Sequence, residues 1–285
     1  MQRYSSHPFD LAQPVALVPV TVPKSWGREV WYSGIEARGE SSVRQGDTVA
    51  PLSDYLHLIG LNEVILLKEL QAEKGDLYLE VHQTKREVYV AKATCSLQLG
   101  MNQTLRTKLG DDAFRKAFLK AANAYENNTA SREEIDAFVS SRILAQGDVV
   151  SIEPWMPHSL QRGANVIEFQ TPVFERYILA STTPIENQEH WDTQQVLDRV
   201  LLDPYLPKSS KSLGEGVESL VSTDSFGILR VRGTARLPND VPYVIGIVTD
   251  GYADVQGIRF DDAFLARNLQ SVHASGELLV GGLGF

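Results

Sequence analysis

The sequence predicts a mainly β fold, an antiparallel barrel or sandwich with a helical insertion, followed by a second and smaller β unit. Three observations carry this. Residues 77–81 and 88–91 have strand-like composition, and strand side chains alternate faces with period two. From about 103 to 145 the period changes, with Phe114, Phe118, Ala121, Ala122 and Tyr125, then Ile135, Phe138, Val139 and Ile143, at helical spacing. After residue 213, short strand-like runs return between glycine and Asn/Asp turns.

Taken in order, residues 11–22 alternate apolar positions with prolines, as edge or entry strands do. A turn at 23–28 carries Trp26 and leads to a strand at 29–32. Residues 34–47 are polar and read as a surface connection, and 51–61 as a short helix. The run 64–72 reads as a buried strand with Lys68 at its middle, where a lysine must snorkel or meet an anion. Gly75-Asp76 turns the chain into 77–81, and the sheet continues through 92–99. Within the insertion, Ser131-Arg132-Glu133-Glu134 is a capping box. The sheet resumes at 147–160, ends in a turn with two prolines before His158, and continues at 166–170. Residues 171–177 bend around Pro172 and carry Arg176, and a short helix is expected at 194–202. Proline, serine and lysine at 204–212 mark a linker, which divides the chain into 1–205 and 213–285. Strands are expected at 227–231, 243–248, 253–260 and 277–280.

A chain of 285 residues with 43% hydrophobic and 22% charged residues builds an ordinary core. Its net charge of -9 argues against nucleic acid and anionic membrane surfaces as partners, while leaving room for a local basic pocket. The single cysteine, Cys95, rules out an internal disulfide and lies in an apolar stretch as a small core residue. Residues 1–10 lack the pattern of an export signal, and no run is long and apolar enough to span a membrane, so a cytoplasmic location is expected.

The chemistry gathers in Glu80-Val81-His82-Gln83-Thr84-Lys85-Arg86-Glu87. Tyr78, Glu80 and His82 share one strand face, and a reversal near 83–86 brings Glu87 and Tyr89 opposite it. Carboxylates pointing into a barrel are costly unless paired or bound to a cation, and a divalent metal is the simplest remedy. His158, after Pro157, supplies a fourth ligand. Two imidazoles and two carboxylates suit zinc, manganese or iron(II), and the lack of thiolates argues against a closed structural zinc. His57 reads as a surface or capping residue and His190 as a surface one, and the C-terminal unit, with His273 its one histidine and no ligand cluster, reads as structural or oligomeric. Trp26 is either core or a wall of the site, and Lys68 either faces outward or meets an anion.

The block Glu80-x-His82-x4-Glu87, preceded by Gly75, is followed about seventy residues later by Gly147-Asp-Val-Val-Ser-Ile-Glu-Pro-Trp-Met-Pro-His158-Ser-Leu. Together they resemble the two conserved blocks of the cupin superfamily. Within it the chain resembles the type I mannose 6-phosphate isomerases, especially the short bacterial form. The supporting pieces stand in the family's order: Pro23-Lys24-Ser25-Trp26-Gly27, Leu66-Leu67-Lys68, Lys85-Arg86-Glu87-Val88-Tyr89, Leu99-Gly100 and Val166-Ile167-Glu168-Phe169-Gln170. The likeness covers residues 15–180 well and the C-terminal stretch weakly.

The resemblance implies a jelly-roll cupin barrel with a degenerate cupin-like second unit. It also implies one divalent metal, zinc first and manganese or iron as alternatives, held by Glu80, His82, Glu87 and His158. Glu80 stands where the family has glutamine, and Trp155 replaces a common glycine and is expected to narrow the pocket. The family's Ser-Asp-x-Thr-Tyr-Arg run becomes Thr171-Pro172-Val173-Phe174-Glu175-Arg176-Tyr177, with its arginine two positions early. The implied activity is interconversion of mannose 6-phosphate and fructose 6-phosphate. Lys68 and Arg176 are the candidates for phosphate or enediolate contact, Trp26 for substrate binding, and the proton-transfer residue is unassigned. A monomer or homodimer is expected. The competing readings are a non-catalytic or regulatory metal-dependent sugar-binding cupin, and an isomerase for another sugar.

Overall fold

A computed structural model describes residues 8–185, 188–238 and 241–285. The expectation about an export signal falls largely on residues 1–7, outside the described residues. Strand makes up 44% and helix 14% of the structure, so the mainly β expectation holds.

Two antiparallel sheets face each other to form a barrel. The six-stranded one runs, in spatial order, Val149–Ile152, Glu87–Ala91, Asn165–Gln170, Leu66–Gln71, Gly27–Trp31 and Val20–Lys24. The five-stranded one runs Val139–Leu144, Cys95–Met101, His158–Leu160, Leu79–Val81 and Tyr177–Ala180. Their facing sides share one apolar cluster, with Leu70, Tyr89, Val150 and Val166 from the first and Leu97, Leu99, Leu160 and Ile178 from the second. Each such side chain taken fully out of water stabilises the fold by roughly 1.5–3 kcal/mol. Cys95 is buried in the same cluster.

Helices cover the outer side of the five-stranded sheet. Gln103–Leu109, Asp111–Glu126 and Arg132–Asp136 bring Phe114, Phe118, Ala122 and Ile135 against Leu79, Val81, Met101 and Leu179. Asn102 caps the first by accepting from Thr104 N and Leu105 N. Ser131 N donates to the Glu134 side chain at 3.0 Å, as the capping box requires. The insertion ends sooner than its spacing suggested, because Val139–Leu144 is a strand paired with Cys95–Met101. Phe138, Val139 and Ile143 mimic a helical period, but the strand lies at a sheet edge and leaves Ile143 76% exposed.

The outer side of the six-stranded sheet rests on a third, eleven-stranded sheet. There Leu67, Val88, Val90, Ile167 and Phe169 of the barrel meet Ile228, Ile245, Leu265 and Leu279. Alternate residues of the third sheet, Val244, Phe264, Leu278 and Val280, point into a separate cluster on its far side. The approach is close at Gly281, where a Cβ would meet the Phe169 ring at 2.8 Å. The third sheet also takes in early strands. Val15–Val18 lies between Ala263–Arg267 and Ser42–Gln45, so strands from both sides of the 204–212 linker share it. The polar stretch 34–47, expected to be a surface connection, therefore contributes a strand, with Val43 fully buried between exposed or half-buried polar neighbours. No helix among the described residues is long and apolar enough to cross a membrane.

Candidate metal centre

Glu80 sits on Leu79–Val81, and His158 opens the adjacent strand directly opposite it. His82 follows one residue after Leu79–Val81, and the chain then crosses to the other sheet, where Glu87 opens Glu87–Ala91. The turn before His158 is tied to this crossing, because Trp155 N donates to His82 O at 2.7 Å. The crossing is pinned again at Lys85, whose backbone N–H donates to the Glu175 carboxylate at 2.9 Å. Arg86 bridges Glu153 on one side and Asp224 of the third sheet's loop on the other.

The four side chains expected to hold a metal converge. Glu80, His82 and His158 each offer a ligand atom, all within 4.8 Å of one another. Glu87 closes the group, with its carboxylate oxygens 3.4 Å from His82 Nε2 and 3.2 Å from His158 Nε2. His82, Glu87 and His158 are buried, and Glu80 is half-buried. His158 Nδ1 lies 2.9 Å from the Met156 carbonyl, which can only accept, so Nδ1 carries the hydrogen and Nε2 is left facing the carboxylates. Tyr89 donates to Glu87 at 2.8 Å, and the Lys85 ammonium stands 2.5 Å from its other oxygen.

These contacts set the electrostatics. Burial raises the Glu87 carboxyl's pKa, but Lys85 and His82 outweigh it and hold the group well below the usual carboxylate range. Burial pushes His82 down. For His158 burial acts the same way, but the adjoining Glu87 and Glu80 carboxylates prevail and raise it. Glu168, one strand over, is pushed well up by burial.

Glu80 and Glu87 of this group line a cavity of about 290 Å³. Trp26, Lys68 and Arg176 all line it, so Trp26 is both buried and a wall. Lys68 faces inward, donating to Gln170 at 2.8 Å and standing 3.8 Å from Glu29 and 3.9 Å from Glu168. The Arg176 guanidinium lies 4.9 Å from the Tyr78 ring centre. The sequence did not single out Lys24, Arg38 or Glu29 as cavity residues. The cross-strand register Glu168 to Lys68 to Trp31 would have pointed to them, but that register is fixed only once the sheet is assembled.

No family model matches the sequence, and no curated protein matches it. Solved structures do. A mannose 6-phosphate isomerase from Bacillus subtilis is 15% identical, with a TM-score of 0.70 over 94% of this chain and 99% of that one. A zinc-bound mannose 6-phosphate isomerase is 12% identical, with a TM-score of 0.77 over 96% and 100%. A mutant phosphomannose isomerase from Salmonella typhimurium is 12% identical, with a TM-score of 0.75 over the same shares. The chain has the fold of the mannose 6-phosphate isomerases.

On that fold, the donor set suits a divalent metal. Among the described residues neither ring nitrogen of His82 has a hydrogen-bond partner, nor does Nε2 of His158, although all three atoms are buried. Bare imidazole nitrogens turned toward carboxylates repel them unless a proton or a cation lies between, and a metal satisfies all of them together. The expectation that Trp155 narrows the pocket is not met. Its ring stacks on Tyr177 at 5.7 Å and is covered by Arg199 at 5.5 Å, outside the cavity lining. Its backbone explains the glycine it replaces: φ is 62°, the left-handed region that glycine enters most easily.

Proposed function

We propose that this protein is a metal-dependent aldose-ketose isomerase that interconverts mannose 6-phosphate and fructose 6-phosphate. The observation that carries the reading is the convergence of Glu80, His82, Glu87 and His158 beside a cavity lined by lysine and arginine. The structural neighbours are themselves mannose 6-phosphate isomerases, which supports the same reaction class here.

In this reading Glu80, His82, Glu87 and His158 hold the metal, zinc first. When bound, a divalent ion supplies Lewis-acid polarisation of sugar oxygens, which stabilises charge developing on the enediolate. The chain's own groups do the rest. Lys68 and Arg176 meet anionic oxygens, and Trp26 offers an apolar wall to the sugar's carbon side. Lys85 keeps Glu87 ionised and oriented. Moving a proton between neighbouring carbons takes a positioned acid or base, a role commonly worth on the order of 10²–10⁴-fold.

One observation favours a second reading, a sugar-binding cupin without catalysis. The Lys85 ammonium already satisfies one Glu87 oxygen, so the pocket has an internal cation beside the metal position. A coupled assay on a panel of sugar phosphates and free sugars, with zinc or manganese added, separates the two. Turnover between mannose 6-phosphate and fructose 6-phosphate is the expected result. Saturable sugar binding with no turnover on any member of the panel would establish the second reading instead.

A further inference from the structure

Arg86 lies on the crossing that carries His82 and Glu87, and its guanidinium meets carboxylates from two other parts of the chain. One is Glu153, which follows the strand Val149–Ile152 and opens the turn that leads to His158. The other is Asp224, in the turn 223–226 between the third-sheet strands Val217–Ser222 and Gly227–Arg236. Arg86 Nε stands 2.8 Å from one Asp224 oxygen, and Nη2 donates to the other at 3.2 Å. Such a two-pronged contact fixes a guanidinium in direction as well as distance.

Both ends of this bridge are held firmly. The Arg86 backbone N–H donates to Thr171 Oγ1 at 3.1 Å, and its carbonyl accepts from Thr171 N at 3.1 Å. In the 223–226 turn the Thr223 hydroxyl accepts from Ser225 N at 3.1 Å and from Phe226 N at 3.0 Å. Phe226 anchors that turn in the apolar cluster between the third sheet and the barrel. From Glu153 the path to the ligand is short. Glu153 O accepts from Met156 N at 3.1 Å, and Met156 O is the acceptor that orients the His158 ring through Nδ1. Pro154 and Pro157 remove backbone freedom along the way.

The Asp224 side chain is 71% exposed, and an ion pair so open to water adds little to stability. Its consequence lies in placement. We infer that Arg86 is a positioning residue for the metal centre, and that the third sheet acts on that centre through the contact of Asp224 with Arg86. The guanidinium sets the spacing between the segment bearing His82 and Glu87 and the turn bearing His158, and Asp224 sets the guanidinium. The C-terminal strands thereby reach the metal ligands without supplying any of the four. The inference rests on the metal centre of the proposed function and is independent of its sugar chemistry.

The test measures zinc affinity of the stripped full chain by competition with a chromophoric chelator, and melting of the metal-free chain beside it. Arg86→Ala should weaken zinc about tenfold or more, as loss of a group that orients ligands does, and Arg86→Lys should recover part of the loss. Asp224→Ala should weaken zinc about threefold, within the energy of an exposed ion pair, and leave the metal-free melting point unchanged. Because Asp224 acts through Arg86, the double variant should bind zinc no more weakly than Arg86→Ala alone. Wild-type zinc affinity in Asp224→Ala, or losses that add in the double variant, would overturn the inference. Wild-type protein that binds no zinc would remove the metal centre and this role together. Turnover of fructose 6-phosphate is followed in the same preparations. Zinc affinities that shift as expected, with no turnover in wild type, leave the positioning role standing and remove the isomerase reading.

Discussion

Lys68 and Glu168 are cross-strand partners inside the barrel, with the lysine nitrogen 3.9 Å from a carboxyl oxygen and both side chains nearly excluded from water. A lysine amid leucines thus owes its inward position to a carboxylate that sequence distance hides.

Removing one member should cost more than removing both. Lys68→Met takes a cation from buried Glu29 and the amine partner from Glu168, and is expected to destabilise by about 3 kcal/mol, the usual scale for a broken buried pair. Lys68→Met with Glu168→Gln should recover most of that loss. Urea titrations of the two singles and the double give the coupling, and strictly additive effects would contradict a direct pairing.

Wild-type protein should carry about one divalent ion per chain, as a four-ligand centre with two imidazoles would. His82→Ala and His158→Ala should each lose most of it by elemental analysis. Equal metal in wild type and both variants would remove the centre from these residues.

Glu153 ties Arg86, beside the proposed ligand Glu87, to Lys208. Burial opposes its charge, but Lys208 and Arg86 prevail and hold its carboxyl below the ordinary range. A depressed folded value means stability that is present above the unfolded pKa of about 4.3 and lost as pH falls through the folded value. Glu153→Gln should therefore melt lower than wild type at neutral pH, with the gap closing under strongly acidic conditions. Calorimetric melts across that range check the sign, and a gap that widens on acidification would reverse it.

At Trp155, with φ of 62°, a side chain and a left-handed backbone compete. Trp155→Ala loses the stacking on Tyr177 and keeps the strain, whereas Trp155→Gly loses the stacking and relieves it. The glycine variant should be more stable than the alanine variant by about 1 kcal/mol. Chemical denaturation midpoints measure the difference, and an alanine variant as stable as glycine would mean the backbone there is relaxed.

Local patterns made the strands legible where one face is apolar, as at residues 66–71 and 165–170. The convergence of the candidate ligands was legible too, because Glu80 and His82 share a face by period two and His158 follows a proline turn. What escaped depends on pairing between distant segments. Ser42–Gln45 looks polar because only Val43 points inward. Val139–Leu144 looks helical because an edge strand need not alternate. Lys24, Glu29 and Trp31 belong to one hairpin whose inward face its composition does not mark, and Arg38 reaches Trp31 from the connection that follows.

The position of Val15–Val18 between Ser42–Gln45 and Ala263–Arg267 bears on how the molecule is made. On the ribosome this strand emerges early, yet one of its two neighbours is synthesised some 250 residues later, a wait on the order of ten to fifty seconds at the usual pace of translation. During that interval Ile167 and Phe169 have left the ribosome without the sheet that later covers them. The nascent chain therefore passes through a stage with a sticky flank and an unpaired strand edge, which makes its yield in the cell sensitive to the supply of holding chaperones.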